Sequence, residues 1–263
     1  MINNLINRNQ NNLKPKITAL AITFNEEENI QRYVSSLAFA DEIIFVDSNS
    51  TDNTAAIAQK MGVTVFRRDF DSFSKQRNFA LKKATNDWIV FFDLDEIITA
   101  SLEKEIITAI TNPKEFVAFT IKRNLFFMGK KIRYGGWQTD KVIRVFNKKY
   151  CQYNGNLVHE SIATNGAVGR LKESANHYSY KSFDNYNAKL NLYSKLQAEG
   201  LYIKKTKPNG YHFFIRPSYR FLWQYLYRLG FLDGKEGFIL AYIHSFAVLK
   251  RYLQLWMMYR KIE

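Results

Sequence analysis

A run of five apolar residues, Trp88–Phe92, is followed at once by the carboxylates Asp93, Asp95 and Glu96. Carboxylates this close repel one another, and burying them is costly unless a cation compensates their charge. An Asp-x-Asp pair after an apolar strand suits a divalent cation with hard oxygen ligands, Mg²⁺ or Mn²⁺, that also binds a diphosphate. The competing interpretation is a solvated turn in which Asp95 or Glu96 caps the following helix.

Strand-like and helix-like segments alternate through the first hundred residues and must position these carboxylates. Strands are predicted at 16–23, 42–47, 63–68 and 87–93, and helices at 27–37, 51–62 and 72–84. This alternation predicts an α/β fold with right-handed crossovers and a mostly parallel sheet flanked by helices. Further strands are predicted at 115–124 and 140–147, and the chain after His177 is predicted to be mainly helical.

Polar residues follow each predicted strand, and ligands of such sheets bind at the carboxyl ends of the strands. Asp47 ends one strand, where its carboxylate could accept a hydrogen bond from a base N–H. Lys75 and Arg77 lie near the start of a helix, and arginine suits bidentate phosphate binding or stacking on a base. The sequence contains neither a G-x-G-x-x-G nor a G-x-x-x-x-G-K-[ST] loop, so a dinucleotide or P-loop site is not predicted.

The net charge of +14 is unevenly spread. Residues 1–120 carry 13 Lys/Arg against 16 Asp/Glu, whereas residues 121–263 carry 25 against 8. The basic half could face nucleic acid, anionic lipid headgroups or an anionic acceptor. No stretch reaches the roughly 20 apolar residues of a membrane span. The single cysteine, Cys151, excludes an internal disulfide framework and is consistent with a reducing cytoplasm.

Six motifs together resemble the family 2 glycosyltransferases with a GT-A fold. They are AITFNEEENI, IIFVDSNSTDNT, FDSFSKQRNFAL, DWIVFFDLDE, NGNLVHESI and GFLDGKEGF, in this order. The chain is most similar to the lipopolysaccharide-core β-1,4-glucosyltransferase-like branch, from about Ile17 to the C-terminal helices. Each motif alone is weak, and the ordered set is strong. The resemblance implies a nucleotide-sugar donor, usually UDP-linked, and inversion at the anomeric carbon.

The resemblance also implies roles for particular residues. Asp93 and Asp95 would form the metal motif, with Leu94 in place of the commoner small residue. The nucleotide-sugar site would take Thr23, Phe24, Asn25, Glu26, Asp47, Lys75, Arg77 and Asp93. The implied cofactor is a divalent cation, Mg²⁺ or Mn²⁺.

Inversion needs a base that takes a proton from the attacking hydroxyl as it adds opposite the leaving diphosphate. Glu160 is the candidate base, and His159 could orient it or contact the phosphates. Many members of the family use an aspartate instead, which makes Asp140 the rival. A surface salt bridge or a cap is the alternative role for Glu160.

The predicted organisation is a frayed N-terminus at 1–15, a GT-A catalytic domain at 16–180 and a helical extension at 181–263. In the last helix the apolar positions Ile239, Tyr242, Ile243, Phe246, Leu249, Leu253 and Trp256 recur every three or four residues. This stripe indicates either packing on the core or contact with a membrane interface.

The function predicted from these features is transfer of a sugar, glucose in the preferred version, from a UDP-sugar to a saccharide or glycolipid acceptor of the cell envelope. The acceptor class would include lipopolysaccharide core, and the protein would work in the cytoplasm, with an anionic membrane surface as a further partner. Two other functions compete, a sugar-phosphate nucleotidyltransferase and a basic nucleic-acid-binding protein. The first lacks its Gly-rich, Arg-containing loop and the second lacks an RRM motif, so no nucleic acid is expected. The oligomeric state is not predicted.

Overall fold

The computed structural model describes residues 14–154, 161–180 and 183–262 of the 263-residue chain. These residues form two compact units. The first contains the described residues up to Arg123 and those of 141–175, and the second contains 124–140 and the described residues from Asn176 onward.

Four parallel strands form the N-terminal part of the sheet in the first unit. They are β1 (Ile17–Thr23), β2 (Glu42–Asp47), β3 (Thr64–Arg67) and β4 (Trp88–Phe91), in the order β3-β2-β1-β4. Three helices connect them: α1 (Glu27–Ser35), α2 (Thr54–Lys60) and α3 (Phe73–Lys83). The predicted alternation of strands and helices is therefore confirmed.

Beyond β4 the sheet becomes antiparallel. The order continues through β8 (Lys141–Asn147), β6 (Phe116–Phe127) and β11 (Ala167–His177) to β5 (Glu96–Ile97). Strand β8 pairs antiparallel with both β4 and β6. The helix α4 (Ala100–Thr111) begins at its N-cap Thr99, whose hydroxyl accepts a hydrogen bond from the Leu102 amide. Strands β7 (Lys130–Lys131), β9 (Cys151–Tyr153) and β10 (Ile162–Thr164) are short.

Both faces of the parallel strands are covered, as continuous apolar strands predict. Ile17, Ala19 and Ala21 of β1 belong to a core shared with α1, α2 and α4. Leu20, on the opposite face of the same strand, belongs to a second core shared with α3. This alternation follows from the two-residue period of a strand.

The helices of the second unit are α5 (Phe183–Ile203), α6 (Arg216–Leu222) and α7 (Lys235–Arg260). Two π-helical turns, Tyr211–Ile215 and Trp223–Tyr227, flank α6. The predicted helical character after His177 is thus confirmed in the part of the chain that the structure describes. Among those residues, no helix is both long and apolar enough to cross a membrane.

The motif GFLDGKEGF packs two backbone segments of the second unit against each other. A Cβ atom added to Gly237 would lie 1.9 Å from the carbonyl oxygen of Gly230. The buried carboxylate of Asp233 accepts hydrogen bonds from the amides of Arg133 and Tyr134, at 3.0 Å and 2.8 Å. The motif therefore holds the start of α7 against the loop 129–136.

We predict that Gly237→Ala destabilises the protein by about 1–3 kcal/mol or more, because the methyl group overlaps a backbone oxygen that cannot move alone. Gly200→Ala in α5 is the matched control, since a Cβ there meets nothing within 4 Å. It should stabilise the helix by about 0.5–1 kcal/mol. Urea titrations of both variants check the signs, and equal midpoints would contradict this close approach.

Candidate active site

The carboxyl ends of β1 and β2 are joined by the buried side chain of Asp47. Its carboxylate accepts hydrogen bonds from the Thr23 hydroxyl at 2.9 Å, the Ser50 hydroxyl at 2.5 Å and the Ser50 amide at 2.9 Å. Two of the predicted nucleotide-site residues, Thr23 and Asp47, are therefore in direct contact. Three hydrogen bonds fix the orientation of this carboxylate.

The loop after β1 is also hydrogen-bonded to the loop after β2. Asn25, in the left-handed region at φ 52°, donates its amide to Ser50 Oγ and accepts from the Thr51 amide, both at 2.9 Å. The Glu26 amide donates to Thr54 Oγ1 at 2.7 Å. Phe24, which precedes these anchored residues, is 57% exposed. These hydrogen bonds fix the backbone of the predicted nucleoside pocket. The phenyl ring of Phe24 is exposed to solvent.

Helix α3 connects this region to the acidic motif. Gln76 donates from Nε2 to the hydroxyl of Ser48, the residue after Asp47, at 3.0 Å. The next residue, Arg77, donates to Asp93 Oδ1 at 2.8 Å. Lys75 has an exposed side chain whose ammonium lies 3.6 Å from Asp71. Adjacent residues of one helix therefore contact the ends of β2 and β4.

The carboxylates after β4 are compensated by arginines. Arg144 of β8 donates from Nη2 to Asp93 Oδ2 at 2.5 Å and to Glu96 Oε1 at 2.7 Å. Arg123 of β6 donates to the same Glu96 oxygen at 2.8 Å. With Arg77, these residues form a row of alternating charges that we call the arginine–carboxylate chain.

Burial makes this row electrostatically strong. Burial raises the pKa of the Asp93 carboxyl, but the guanidinium groups of Arg144 and Arg77 outweigh it and hold that pKa well below its usual range. The two carboxylates in turn keep the pKa of buried Arg144 raised despite its desolvation. Tyr33, whose hydroxyl donates to the Phe92 carbonyl at 2.8 Å, has a pKa raised by its burial and by these nearby negative charges. Asp93 is therefore ionised at neutral pH.

A cleft opens beside the arginine–carboxylate chain within the first unit, with a cavity volume of about 390 Å³. Its described lining comprises Arg77, Asp93, Arg123, Lys141, Val142, Ile143, Arg144, Tyr153, Ser161 and Ile162. The Arg77 guanidinium lies 5.4 Å from the Tyr153 ring centroid, within the range of a cation–π contact. Four cationic side chains in one cleft suit an anionic ligand such as a diphosphate.

The residues present fit a divalent cation in part. Both oxygens of Asp93 already accept arginine donors, which disfavours a second cation there. Among the described residues no group of three or more His, Cys, Asp or Glu side chains could hold a metal ion. Mg²⁺ is commonly bound by one or two carboxylates together with substrate phosphates. Half-buried Asp95 fits that arrangement.

The predicted base, Glu160, and its neighbour His159 lie outside the described residues. The rival, Asp140, follows the short 3₁₀ turn Trp137–Thr139, and its amide donates to the Trp137 carbonyl at 3.1 Å. Both candidates for the base therefore stay predictions.

Sequence reasoning missed Arg123 and Arg144. Each is a charged residue within a predicted strand, and Arg144 interrupts the apolar run of KVIRVFN. A charge at a core-facing strand position is rarely buried without a partner. That signal could have identified Arg144 as the partner of a buried carboxylate, here Glu96.

Comparison with known proteins identifies the family. Residues 18–171 match the sequence model of the family described as glycosyl transferase family 2. The chain belongs to glycosyl transferase family 2. The sheet and helices above are accordingly those of a GT-A glycosyltransferase, and the predicted fold class is confirmed.

Two relatives span most of this glycosyltransferase. An uncharacterized glycosyltransferase of Rickettsia felis is 32% identical over 252 residues, which cover 91% of this chain and 88% of that protein. The lipopolysaccharide core biosynthesis glycosyltransferase LpsC of Rhizobium meliloti is 25% identical over 253 residues, covering 91% and 94%. The crystal structure of S. aureus TarS 1-349 aligns over 94% of this chain and 91% of that one, with 16% identity and a TM-score of 0.47.

Proposed function

We propose that this glycosyltransferase moves a sugar from a UDP-sugar to a saccharide acceptor of a cell-envelope glycan such as lipopolysaccharide core. The sugar that we propose is glucose. The observation that carries the proposal is the cationic cleft at the end of β4, next to the interlocked loops after β1 and β2. Family membership supports sugar transfer over the competing nucleotidyltransferase and nucleic-acid-binding functions. The similarity to LpsC over nearly the whole chain supports the acceptor class.

In the proposed mechanism, Asn25, Glu26 and Asp47 bind the nucleoside, and Arg77 stabilises the diphosphate. Asp95 would hold a divalent cation, Mg²⁺ or Mn²⁺, which when bound would neutralise charge on the departing UDP. Asp93 keeps Arg77 and Arg144 in place at the cleft. The guanidinium groups are preorganised, so they need no rearrangement as negative charge develops.

The acceptor hydroxyl attacks the anomeric carbon from the side opposite the diphosphate, with inversion. A carboxylate takes the hydroxyl proton, the new C–O bond forms, and the bond to the diphosphate breaks to release UDP. We assign the base to Glu160, with His159 beside it. Both Ser161, which follows Glu160, and Lys141, which follows Asp140, line the cleft, so variants of the two carboxylates must be compared directly.

The acceptor and the compartment belong to the same proposal. A glycolipid acceptor would bring the enzyme to the inner face of the cell membrane. A single cysteine, Cys151, is consistent with a reducing cytoplasm. The buried Cys151 thiol has a pKa raised by burial to about 11, so it is an unreactive group.

UDP and UDP-glucose should raise the melting temperature of the protein, and Mn²⁺ should enlarge the rise, because ligands that bind only the folded state stabilise it. A thermal-shift screen across nucleotide sugars measures this and identifies the donor. No response to any UDP compound would contradict the proposed donor class.

Asp47→Ala should weaken UDP binding about tenfold or more, since an unpaired polar group on the base costs roughly 1–3 kcal/mol. Ser50→Ala is the control for loop anchoring: it removes the hydroxyl that donates to Asp47 and accepts from the Asn25 amide, but it leaves the carboxylate in place. Calorimetry with UDP compares them, and melting curves without ligand report folding. Equal losses in both variants would show that Asp47 acts through the loop and does not contact the base.

A further inference from the structure

An exposed apolar face lies on the helical segment of the second unit that contains α6. At every fourth position it carries Tyr211, Ile215, Tyr219, Trp223 and Tyr227, which we call the aromatic face. Tyr219 is 62% and Tyr227 is 70% exposed, and both stack on Trp223, with centroids 5.9 Å and 4.3 Å apart. Soluble proteins rarely leave such a row of aromatic side chains uncovered without an interaction.

Helix α7 extends this apolar exposure. Phe238, which is 45% exposed, lies edge-on to Phe221 and stacks with Tyr242, at centroid distances of 5.7 Å and 6.1 Å. The apolar stripe predicted on this helix is only partly used for packing. Four of its residues are exposed: Tyr242, Phe246, Leu253 and Trp256. The buried residues of α7 include instead Leu240, Ala241, Tyr252 and Leu255.

Three arginines lie on the two helices that carry these exposed aromatic side chains. Arg216 donates to the Tyr252 hydroxyl, and its guanidinium lies 6.0 Å from the Tyr211 centroid. Arg220 Nη2 lies 3.5 Å from His244 Nδ1, and the Arg251 guanidinium lies 6.0 Å from the Tyr252 centroid. We call Arg216, Arg220 and Arg251 the arginine cluster. Within the described ranges, none of the three forms an ion pair with a carboxylate.

The surrounding sequence offers this cluster no negative charge. No Asp or Glu occurs between Glu199 and Asp233, or between Glu236 and Glu263. Burial and then the charge of neighbouring Arg251 lower the pKa of Arg220. Burial also lowers the pKa of Arg251, and the charge of Arg216 adds to this effect. Neighbouring cations without anions are unfavourable unless a ligand supplies the anion.

We propose that the aromatic face and the arginine cluster together bind an anionic lipid bilayer. The aromatic side chains would lie at the interface, where Trp and Tyr are favoured, and the arginines would contact phosphate headgroups. Interleaved cations and aromatics fit a lipid surface better than a protein partner, because headgroup phosphates pair with Arg while acyl chains cover the rings. The inference is independent of the sugar-transfer chemistry.

Co-sedimentation with vesicles tests the charge part of the proposal. The full chain should bind vesicles of phosphatidylglycerol and phosphatidylcholine in equal parts, bind pure phosphatidylcholine far less, and dissociate at about 1 M NaCl, where screening is nearly complete. Arg216→Gln with Arg251→Gln should lower binding about 25-fold, since each surface cation contributes about fivefold. Lys60→Gln with Lys82→Gln in the first unit loses the same charge and should bind like the wild type.

The aromatic part is tested by Tyr219→Ser with Tyr227→Ser, two exposed positions that should not disturb folding. Binding to anionic vesicles should fall at least tenfold, or about 1.4 kcal/mol. Phe70→Ser with Phe73→Ser, an exposed aromatic pair of the first unit, is the control and should bind normally. Melting curves verify folding of every variant. If the arginine variant misfolds, the tyrosine variant still tests the proposal.

Three outcomes would overturn the proposal. Equal binding to neutral and anionic vesicles excludes headgroup recognition. If the arginine and tyrosine variants lose no more vesicle binding than their controls in the first unit, charge or aromaticity acts regardless of its position. A dimer in sedimentation velocity that dissociates in the tyrosine variant shows that a second copy of the chain covers this face.

Discussion

Glu160→Gln should reduce sugar transfer by about 10²–10⁴-fold, while binding of the donor stays near that of the wild type. The substitution keeps the shape of the side chain and removes its basicity, so only the step that needs proton removal is slowed. Initial rates at saturating donor and acceptor measure the effect on kcat. Calorimetry with UDP measures donor binding separately, which separates a loss of chemistry from a loss of binding.

Asp140→Asn is the matched control, because it makes the same exchange of carboxylate for amide at the rival position. We expect a much smaller effect there. An inactive Asp140→Asn variant beside an active Glu160→Gln variant would reverse the assignment. The acceptor would then approach from the other side of the donor.

The parallel half of the sheet could be predicted because its information is local. Each strand from β1 to β4 is a short apolar run, and the helices between the strands show the longer apolar period of three to four residues. The carboxyl-end rule then predicted that the residues after β1 lie beside Asp47, and the structure joins Asp47 to Thr23, the last residue of β1, by a hydrogen bond. Parallel neighbours such as Thr23 and Asp47 share a register, so ends predicted one by one meet at one edge.

The partners of the acidic motif could not be predicted in the same way. Arg144 lies 51 residues after Asp93 in sequence, and Arg123 lies 27 residues after Glu96. Their contacts depend on β8 pairing antiparallel with β4 and β6, a register that sequence periodicity does not specify. The sequence therefore required a compensating cation for these carboxylates, and the structure provides guanidinium groups for two of them.

The close approach in GFLDGKEGF was also invisible in the sequence. Its resemblance to a family motif identified the segment, but no local rule states that Gly237 must meet the backbone of Gly230. A glycine requirement of this kind arises from the distance between two chain segments. That distance is set by the tertiary structure.

Asp95→Asn should lower kcat at least about 10²-fold and abolish the Mn²⁺-dependent part of UDP binding, with little change in stability. The reason is that Asp93 and Asp95, the two aspartates after β4, have different roles. Asp93 is held between two arginines, so we expect Asp95 to be the protein ligand of a cation shared with the diphosphate. Losing one group that stabilises charge in the transition state commonly costs about 10²–10³-fold in kcat. Calorimetry of UDP with and without Mn²⁺ tests binding apart from turnover.

Asp93→Asn is the contrasting variant, because it should act first on stability. It leaves the largely buried Arg77 and Arg144 with one carboxylate fewer, and because Asp93 itself is 33% exposed the loss should cost about 1–3 kcal/mol. Its melting temperature should therefore fall, whereas that of Asp95→Asn should not. If EDTA leaves wild-type transfer unchanged, no metal is needed. The arginines lining the cleft would then stabilise the departing diphosphate by themselves, and Asp95→Asn would retain full Mn²⁺-independent activity.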